Sequence, residues 1–296
     1  MELPSAGGLV PVDKPAGPTS HDVVALARRA LGTARIGHTG TLDPFATGLL
    51  LLCVGPATRL VEFMVGLPKE YVARVRLGVR TTTDDPEGEV EAVSDAWRAL
   101  TRADVERAVD GLTGRQAQTP PRFSAKKVAG EAAHYRARRG ESVTLAPVEI
   151  DVHELAILAW DPPDLELGVS CSSGTYVRAL ARDLGEALGA GAHLTGLRRT
   201  AIGDFRVEGA LAASALDDAD AVARAWISPA RALAHLAAVE VGAEAAGRIA
   251  HGQVVAVADR GAVDGLVAVM SAGELVAVAE RAGERLRPRK VFQGAS

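Results

Sequence analysis

The sequence predicts a two-domain α/β protein: a mixed, largely antiparallel sheet with flanking helices, followed by a small β-rich module. The chain has 296 residues, whereas a single domain usually takes roughly 100–200. Up to about residue 230, segments of alternating apolar and polar residues are interspersed with segments of helical spacing. Beyond about His235, short Val- and Ala-rich runs broken by glycine indicate a β-rich module. We therefore expect domains at residues 1–232 and 233–296, with Ser228-Pro229 near the boundary.

The N-terminal third begins with a strand over residues 8–13 and a turn over residues 14–18. Ser20 is predicted to cap a helix that Gly32 ends. A glycine-rich loop over residues 35–48 follows. The apolar run 49–54 behind it predicts a buried strand.

Alternation over residues 71–79 predicts a half-buried strand. The acidic stretch 85–88 is predicted to be a turn, and residues 89–93 pair back as a hairpin. This turn lacks the ligand spacing of a calcium loop, so we expect a solvated hairpin tip. Thr101 is predicted to cap a helix that continues to Val109.

In the second half, a Pro-rich break over residues 116–121 precedes a basic segment. Strands are predicted within residues 143–160, 165–171 and 194–207, and helices over 174–188 and 212–226. The last part predicts three strands, over residues 253–258, 265–270 and 274–279.

The charge is unevenly distributed along the chain. The formal net charge of −4 argues against a general nucleic-acid coat. However, residues 84–95 carry six acids and no base. Two segments are basic instead, which is what a one-sided phosphate contact needs: Arg122, Lys126, Lys127, Arg136, Arg138 and Arg139, then Arg281, Arg285, Arg287, Arg289 and Lys290.

Several functional classes lack their sequence signals. The histidines and the two cysteines form no metal-ligand pattern, and no phosphate-binding or dinucleotide-binding glycine motif is present. We therefore expect no metal and no cofactor. Cys53 and Cys171 are predicted to be reduced and buried. No apolar stretch reaches about 18 residues and no secretory signal opens the chain, so we expect a cytoplasmic protein without a membrane partner.

Asp43 is the leading catalytic candidate. It is the only carboxylate between Asp22 and Glu62, and it lies in a loop bracketed by glycines. His38 lies five residues before it. An acid held in this way could act as a nucleophile or a general base. The simpler alternative, an Asp-Pro turn, does not account for the Gly-His-Thr-Gly and Ala-Thr-Gly sequences around it.

Four segments resemble the TruB family of tRNA pseudouridine-55 synthases, in family order and spacing. They are GHTGTLDPFATGLL from Gly37, VDKPAGPTSHDVV from Val12, KEYVARVRLGVRTTTDDPEGEV from Lys69 and CSSGTYVRALARDLGEALGAGAHLTGLRR from Cys171. The resemblance implies a pseudouridine synthase fold with a C-terminal PUA-like RNA-binding domain. It also implies isomerisation of uridine 55 in the T arm of tRNA, by a monomer.

The resemblance also implies roles for individual residues. Asp43 maps onto the catalytic aspartate, and Arg178 onto an arginine that pairs with it in fork geometry. Tyr71 would stack on the uracil and move a proton, with Tyr176 and Leu197 lining the pocket. The implied RNA contacts are His38, Arg59, Lys69, Lys126, Lys127 and Arg136, the last three within a basic insertion over residues 119–148.

The residues leave alternatives open. Asp43 could attack ribose C1′ or pyrimidine C6, or a glycal could form. A non-catalytic RNA-binding protein or tRNA-folding chaperone would explain the basic segments, but it does not require Asp43, Tyr71 and Arg178 together. A hydrolase with an aspartate nucleophile would not require a basic insertion.

Overall fold

The computed structural model describes residues 3–123, 145–257 and 264–292, with residue 139 and the backbone of residues 127–128 and 131–132. The chain forms two compact units. The first contains Met1–Leu42, Leu50–Val65 and Val207–Ser296, and the second contains Asp43–Leu49 and Gly66–Arg206. These units differ from the expected domains, because the chain crosses between them several times.

The elements of the described residues follow in chain order. The strands are β1 (Gly8–Lys14), β2 (Ile36–His38), β3 (Thr47–Val54), β4 (Lys69–Leu77), β5 (Val79–Thr81), β6 (Val90–Val93), β7 (Gly114–Gln118), β8 (Lys127–Val128), β9 (Glu131–Ala132), β10 (Val148–Asp161), β11 (Asp164–Cys171), β12 (Ala192–Ile202), β13 (Phe205–Arg206), β14 (Leu211–Ala212), β15 (Ala237–Glu240), β16 (Val255–Ala256), β17 (Gly265–Ser271), β18 (Glu274–Ala282) and β19 (Arg285–Val291). The α-helices are α1 (Ser20–Ala30), α2 (Val61–Met64), α3 (Arg102–Gly111), α4 (Val177–Ala187), α5 (Ala219–Ala225), α6 (Pro229–Ala232) and α7 (Ala243–Ala250).

The second unit is a mixed sheet with helices. Its strands run in the order β3-β12-β4-β11-β10-β7, and β3 contributes Thr47 and Gly48 to a parallel pairing with β12. The other neighbours along this order are antiparallel. Alternate residues of β11 are buried, as its sequence pattern predicts. Apolar residues of α3 and α4 complete the core. The predicted mixed, largely antiparallel sheet is confirmed.

The first unit contains strands from both ends of the chain. β1 lies between β14 and β3. Residues 50–54 of β3 are all fully buried, which explains why this strand is apolar without alternation. The same unit includes a five-stranded sheet in the order β15-β17-β18-β19-β16, with α7 against it. The β-rich C-terminal module is therefore confirmed.

The predicted start of α1 and the helix predicted over residues 212–226 were wrong. Thr19, not Ser20, caps α1: its hydroxyl accepts the Asp22 N–H, and the Asp22 carboxylate accepts the Thr19 N–H. The helix expected over residues 212–226 is only α5, because residues 211–212 form β14 and a single turn of 3-10 helix follows.

Ser20 has a different structural role. Its hydroxyl is buried, accepts the Leu42 N–H at 2.8 Å and donates to the Leu42 carbonyl at 3.1 Å. Both polar groups of the residue before Asp43 are thereby satisfied inside the first unit. One hydroxyl thus fixes the start of the loop.

Both cysteines are free and buried, as predicted. Among the described residues, no helix has the length and apolarity needed to span a bilayer.

Ser20→Ala should lower the free energy of unfolding by about 1–3 kcal/mol, because it leaves a buried backbone donor and acceptor unpaired. Denaturant unfolding, monitored by circular dichroism, measures this loss. Ser94→Ala is the matched control, since the Ser94 hydroxyl accepts one N–H at an exposed position. Equal losses in the two variants would contradict the anchoring role.

Candidate active site

Asp43 begins the short loop that enters the second unit. Its carbonyl accepts the Ala46 N–H at 3.1 Å, and its carboxylate is 35 % exposed. Gly48 ends the loop with φ +103°, and a Cβ there would lie 2.2 Å from the Arg199 carbonyl oxygen. Only glycine permits this approach of β3 to β12. The loop is therefore fixed close to where its carboxylate emerges.

Arg178, in the first turn of α4, contacts the Asp43 carboxylate from the interior. Its Nε lies 2.9 Å from Oδ2, and its Nη2 donates to Oδ1 at 3.4 Å. The Nε approach is a close charge contact but is not aligned as a hydrogen bond. The pair expected from the sequence is present, with a fork geometry that is less than ideal.

A second carboxylate, Asp85, holds the same guanidinium. Asp85 is 3 % exposed, and its Oδ2 accepts from Arg178 Nη1 at 3.1 Å. Its Oδ1 accepts the Thr83 hydroxyl and the Glu87 N–H. The prediction of a solvated acidic tip is thus wrong at Asp85, because this carboxylate is turned inward and fully hydrogen-bonded.

Two carbonyls complete the contacts of Arg178. Nη1 donates to the Thr83 carbonyl and Nη2 to the Phe123 carbonyl, both at 2.9 Å. With its side chain only 6 % exposed, Arg178 needs these partners to offset the loss of water. The guanidinium is therefore held in one orientation towards Asp43.

Asp84 and Arg182 form a neighbouring ion pair. Arg182 Nη1 lies 3.3 Å from Asp84 Oδ2, and Nη2 donates to the Thr119 carbonyl at 2.9 Å. Arg182 also contacts Asp183. Burial raises the pKa of the Asp84 carboxyl to about 6, against the attraction of Arg182 and Arg178. Asp84, with its side chain 16 % exposed, is therefore also turned inward.

The first turn of α4 is anchored by a glutamine. The Gln118 side chain is buried; its Oε1 accepts the Tyr176 N–H at 2.9 Å and its Nε2 donates to the Tyr176 carbonyl at 3.1 Å. Tyr176 makes no side-chain cap of its own helix. The amide of Gln118 thus satisfies backbone groups that a capping residue would otherwise satisfy.

Tyr71 and Arg199 lie on adjacent strands of the same sheet. Burial raises the pKa of the Tyr71 phenol, and the Arg199 guanidinium, which is hydrogen-bonded to it, opposes that rise. Asp43 is near enough to raise the same pKa slightly further. Arg199 is 1 % exposed, and its Nε donates to the Leu49 carbonyl at 2.8 Å. It therefore connects Tyr71 to the strand that follows the loop.

Lys69 lies in the interior, not at the surface. It is 6 % exposed, and its Nζ donates to the Leu67 carbonyl at 2.6 Å. Burial lowers the pKa of its ammonium to about 8, so the charged form still dominates at neutral pH. The expected phosphate contact for Lys69 does not fit this burial, and we withdraw it.

Leu197 and Tyr176 are both half-buried in the second unit. Leu197 lies on β12 opposite Ala73 and packs against the unit's core. Their partial exposure leaves apolar surface available within the unit that carries Asp43.

His38 and Arg59 belong to the first unit. His38 Nδ1 accepts the Gly40 N–H at 3.3 Å, and its ring meets His21 edge-on at 5.7 Å. Arg59 donates to the Val291 carbonyl at 2.7 Å and lies 5.6 Å from the Phe292 ring centre. Arg59 is therefore engaged with the C-terminal strand, a partner that the sequence did not indicate.

The basic segments are only partly described. Lys126 and Arg136 lie outside the described residues, and only the backbone of Lys127 is described. In the tail, Arg281 is buried, whereas Arg285 and Arg287 are exposed on β19. The tail is therefore less uniformly a surface cluster than its sequence predicts. Among the described residues, no group of three or more His, Cys, Asp or Glu could hold a metal.

Sequence reasoning missed Asp84, Asp85, Arg182 and Arg199 as site residues. Their signals were present: two adjacent acids follow three threonines, Arg199 comes two residues after Leu197, and Arg182 comes four residues after Arg178. Acids and arginines are usually solvated, however, so only the fold shows that Asp85 and Arg199 are buried and that Asp84 and Arg182 are half-buried.

Family models match nearly the whole chain. Residues 28–177 match the TruB family pseudouridylate synthase N-terminal domain, and residues 178–237 match the tRNA pseudouridylate synthase B C-terminal domain. Residues 237–292 match the model described as pseudouridine synthase II TruB, C-terminal.

Curated relatives and solved structures agree with these matches. Proteins named tRNA pseudouridine synthase B from Thermobifida fusca and Arthrobacter sp. are 45 % and 44 % identical; the matches cover 98 % and 96 % of this chain and 99 % and 96 % of those proteins. A solved Cbf5-Nop10-Gar1 complex superposes with a TM-score of 0.77 at 28 % identity, covering 98 % of this chain and 86 % of that one. An H/ACA RNP bound to a substrate RNA gives 0.76 at 26 %, with the same coverage.

Asp84→Asn should remove a specific pH dependence of stability. The folded pKa of about 6 lies above that of an unfolded aspartate, about 3.9. The contribution to stability is therefore full at low pH and is lost as the pH rises through about 6. Relative to the variant, the wild type should gain about 1–1.5 kcal/mol in free energy of unfolding between about pH 7 and about pH 5.

Denaturant titrations at several pH values measure this difference. Asp95→Asn, at an exposed carboxylate, is the control substitution. Parallel profiles for the wild type and Asp84→Asn would show that Asp84 does not carry the raised pKa.

Proposed function

The chain belongs to the TruB family of pseudouridine synthases, and on that premise we propose that Asp43 is the nucleophile with which it converts uridine 55 of tRNA to pseudouridine. The observation that carries the proposal is the contact between the part-exposed Asp43 carboxylate and the buried Arg178 guanidinium. The carboxylate faces outward from a fixed loop, while its counter-charge is held behind it. A substrate can therefore reach the acid without displacing the arginine.

The reaction is an isomerisation, so atoms balance within the substrate. The N1–C1′ bond breaks, the uracil rotates, and a C5–C1′ bond forms. C5 then loses its proton, and N1 ends the reaction protonated. Asp43 supplies a carboxylate that can add to C1′ or C6, or assist glycal formation. None of these routes requires a redox change.

Arg178 keeps Asp43 ionised and oriented. A guanidinium beside a carboxylate favours its charged form, which is the nucleophilic one. Asp85 and two backbone carbonyls fix the guanidinium from the other side. The orientation of Asp43 therefore depends on contacts that the substrate does not disturb.

Tyr71 is suited to moving a proton. Its phenol is hydrogen-bonded to Arg199, and the positive charge of Arg199 makes the phenolate easier to form than burial alone would allow. We assign to Tyr71 the stacking on uracil and the transfer of the C5 proton. Tyr176 and Leu197 supply the apolar surface on which a flipped base can rest.

The target uridine is stacked inside a folded RNA arm, so the base must be extruded, at a cost of a few kcal/mol. We assign RNA contacts to His38, Lys126, Lys127, Arg136 and the C-terminal module. Arg59, held by the C-terminal strand, would act by keeping that module in place within the first unit. We further propose that the protein acts as a monomer in the cytoplasm, without a metal or a cofactor.

Asp43→Asn should abolish pseudouridine formation yet leave tRNA binding largely intact, because the change is nearly isosteric and removes only the nucleophilic charge. Incubation with unmodified tRNA transcript and pseudouridine mapping measures the first effect, and filter binding the second. The exposed substitution Asp110→Asn, in the same unit, is the control. Substantial pseudouridine formation by Asp43→Asn would contradict the assignment of Asp43 as the nucleophile.

Arg178→Lys should lower the single-turnover rate by about 100-fold, since a lysine keeps the charge but cannot hold both carboxylates in fixed geometry. Arg178→Met should be slower still and should cost about 3–5 kcal/mol of stability, because it leaves Asp85 buried without its counter-charge. Rates and tRNA affinity are measured at one salt concentration. If affinity collapses while the bound-state rate persists, Arg178 is a phosphate contact instead.

A further inference from the structure

Helix α4 presents two arginines, one turn apart, and each binds one acid of the Asp84-Asp85 turn and one carbonyl of the segment 119–123. Arg178 binds Asp85 and the Phe123 carbonyl. Arg182 binds Asp84 and the Thr119 carbonyl. Residues i and i+4 of one helix thus hold two adjacent acids of one turn and two carbonyls that lie four residues apart in one segment.

We propose that Arg182 and Asp84 are positioning residues for Asp43, acting through Arg178. They hold the Asp84-Asp85 turn and residues 119–123 against α4, so that Asp85 and the Phe123 carbonyl meet Arg178 in one geometry. This inference rests on the proposed role of Asp43. Arg182 and Asp84 pair with each other at 3.3 Å, and they act on the reacting carboxylate through Arg178.

The backbone conformation of Asp84 explains why this turn needs the ion pair with Arg182 to hold it. Asp84 has φ +59°, a left-handed conformation that few non-glycine residues adopt, although aspartate tolerates it better than most. Its carbonyl also accepts the Leu194 N–H of β12 at 3.1 Å. Because Asp85 follows directly, any relaxation of Asp84 moves the carboxylate that holds Arg178.

The groups around Asp84 make the Asp84–Arg182 ion pair sensitive to pH. Arg182 and Arg178 attract its charge, whereas Asp183 and Asp85 repel it. Helix α4 contributes three of these groups, the turn contributes Asp85, and β12 contributes a backbone N–H. Protonation of Asp84 near pH 6 would remove its charge from the pair with Arg182. The positioning should then weaken below about pH 6.

The test compares single-turnover rates of pseudouridine formation at saturating tRNA. Asp84→Asn and Arg182→Met should each lower the rate about tenfold at about pH 7.5, a loss typical of residues coupled through contact. The double variant should be no slower than the slower of the two single variants, because both substitutions remove the Asp84–Arg182 pair. Arg182→Lys should recover part of the rate, and tRNA affinity should change less than about twofold throughout.

The pH profile separates positioning from a purely structural role. The ratio of wild-type to Asp84→Asn rates should fall from about ten at about pH 7.5 towards one at about pH 5, since the wild type then carries a neutral residue 84 as well. A ratio that stays constant with pH would overturn the proposal. So would additive losses in the double variant, or a loss of tRNA affinity that accounts for the rate.

The Arg102–Glu106 pair supplies the matched control, because it is an exposed i,i+4 ion pair in the same unit. Arg102→Met and Glu106→Gln should leave the rate unchanged. If the Asp84 and Arg182 variants are as active as the wild type, this inference is refuted and the proposed function is not. Product formation by Asp43→Asn would refute the proposed function instead.

Discussion

The candidate site depends on one buried guanidinium. Arg178 is almost inaccessible, yet it carries a full charge that must be compensated where little water can help. Its nitrogens meet two carboxylates and two carbonyls; of the two carboxylates, Asp43 is 35 % exposed and Asp85 only 4 %. The other partners therefore determine where the outward-facing charge lies. The turn at Asp85, the Phe123 carbonyl and the anchor of α4 by Gln118 all serve this placement.

Much of the fold was predictable because apolar periodicity is a local signal. The alternation of β11, the unbroken apolar run of β3 and the Thr101 cap all appear where their sequence patterns place them. We expected a helix over residues 212–226 because Ala has a high helix propensity in any context. The helix is shorter, because pairing with β1 takes residues 211–212 into a strand. Tertiary pairing of this kind leaves little trace in a local pattern.

The site was predictable in its centre and not at its edges. Asp43 and Arg178 stand out by isolation and by motif, and the structure brings them together. Asp85 and Lys69 did not stand out in the sequence, because the burial of a charge depends on what lies across the sheet. Lys69 faces inward with Tyr71 on one side of β4, two residues apart, as strand geometry requires. A phosphate contact and a buried ammonium look alike in sequence; only the neighbouring strands distinguish them.

The division of the chain into units has a consequence for biosynthesis. The second unit is complete once residue 206 has been translated, whereas the first unit still lacks residues 207–296. Domains generally fold during synthesis as their last segment emerges from the ribosome. The unit that holds Asp43, Tyr71 and Arg178 can therefore assemble first, while β1 still lacks one of its two neighbouring strands, β14. During that interval one edge of β1 has no partner, and an unpaired strand edge of this kind favours aggregation of the nascent chain.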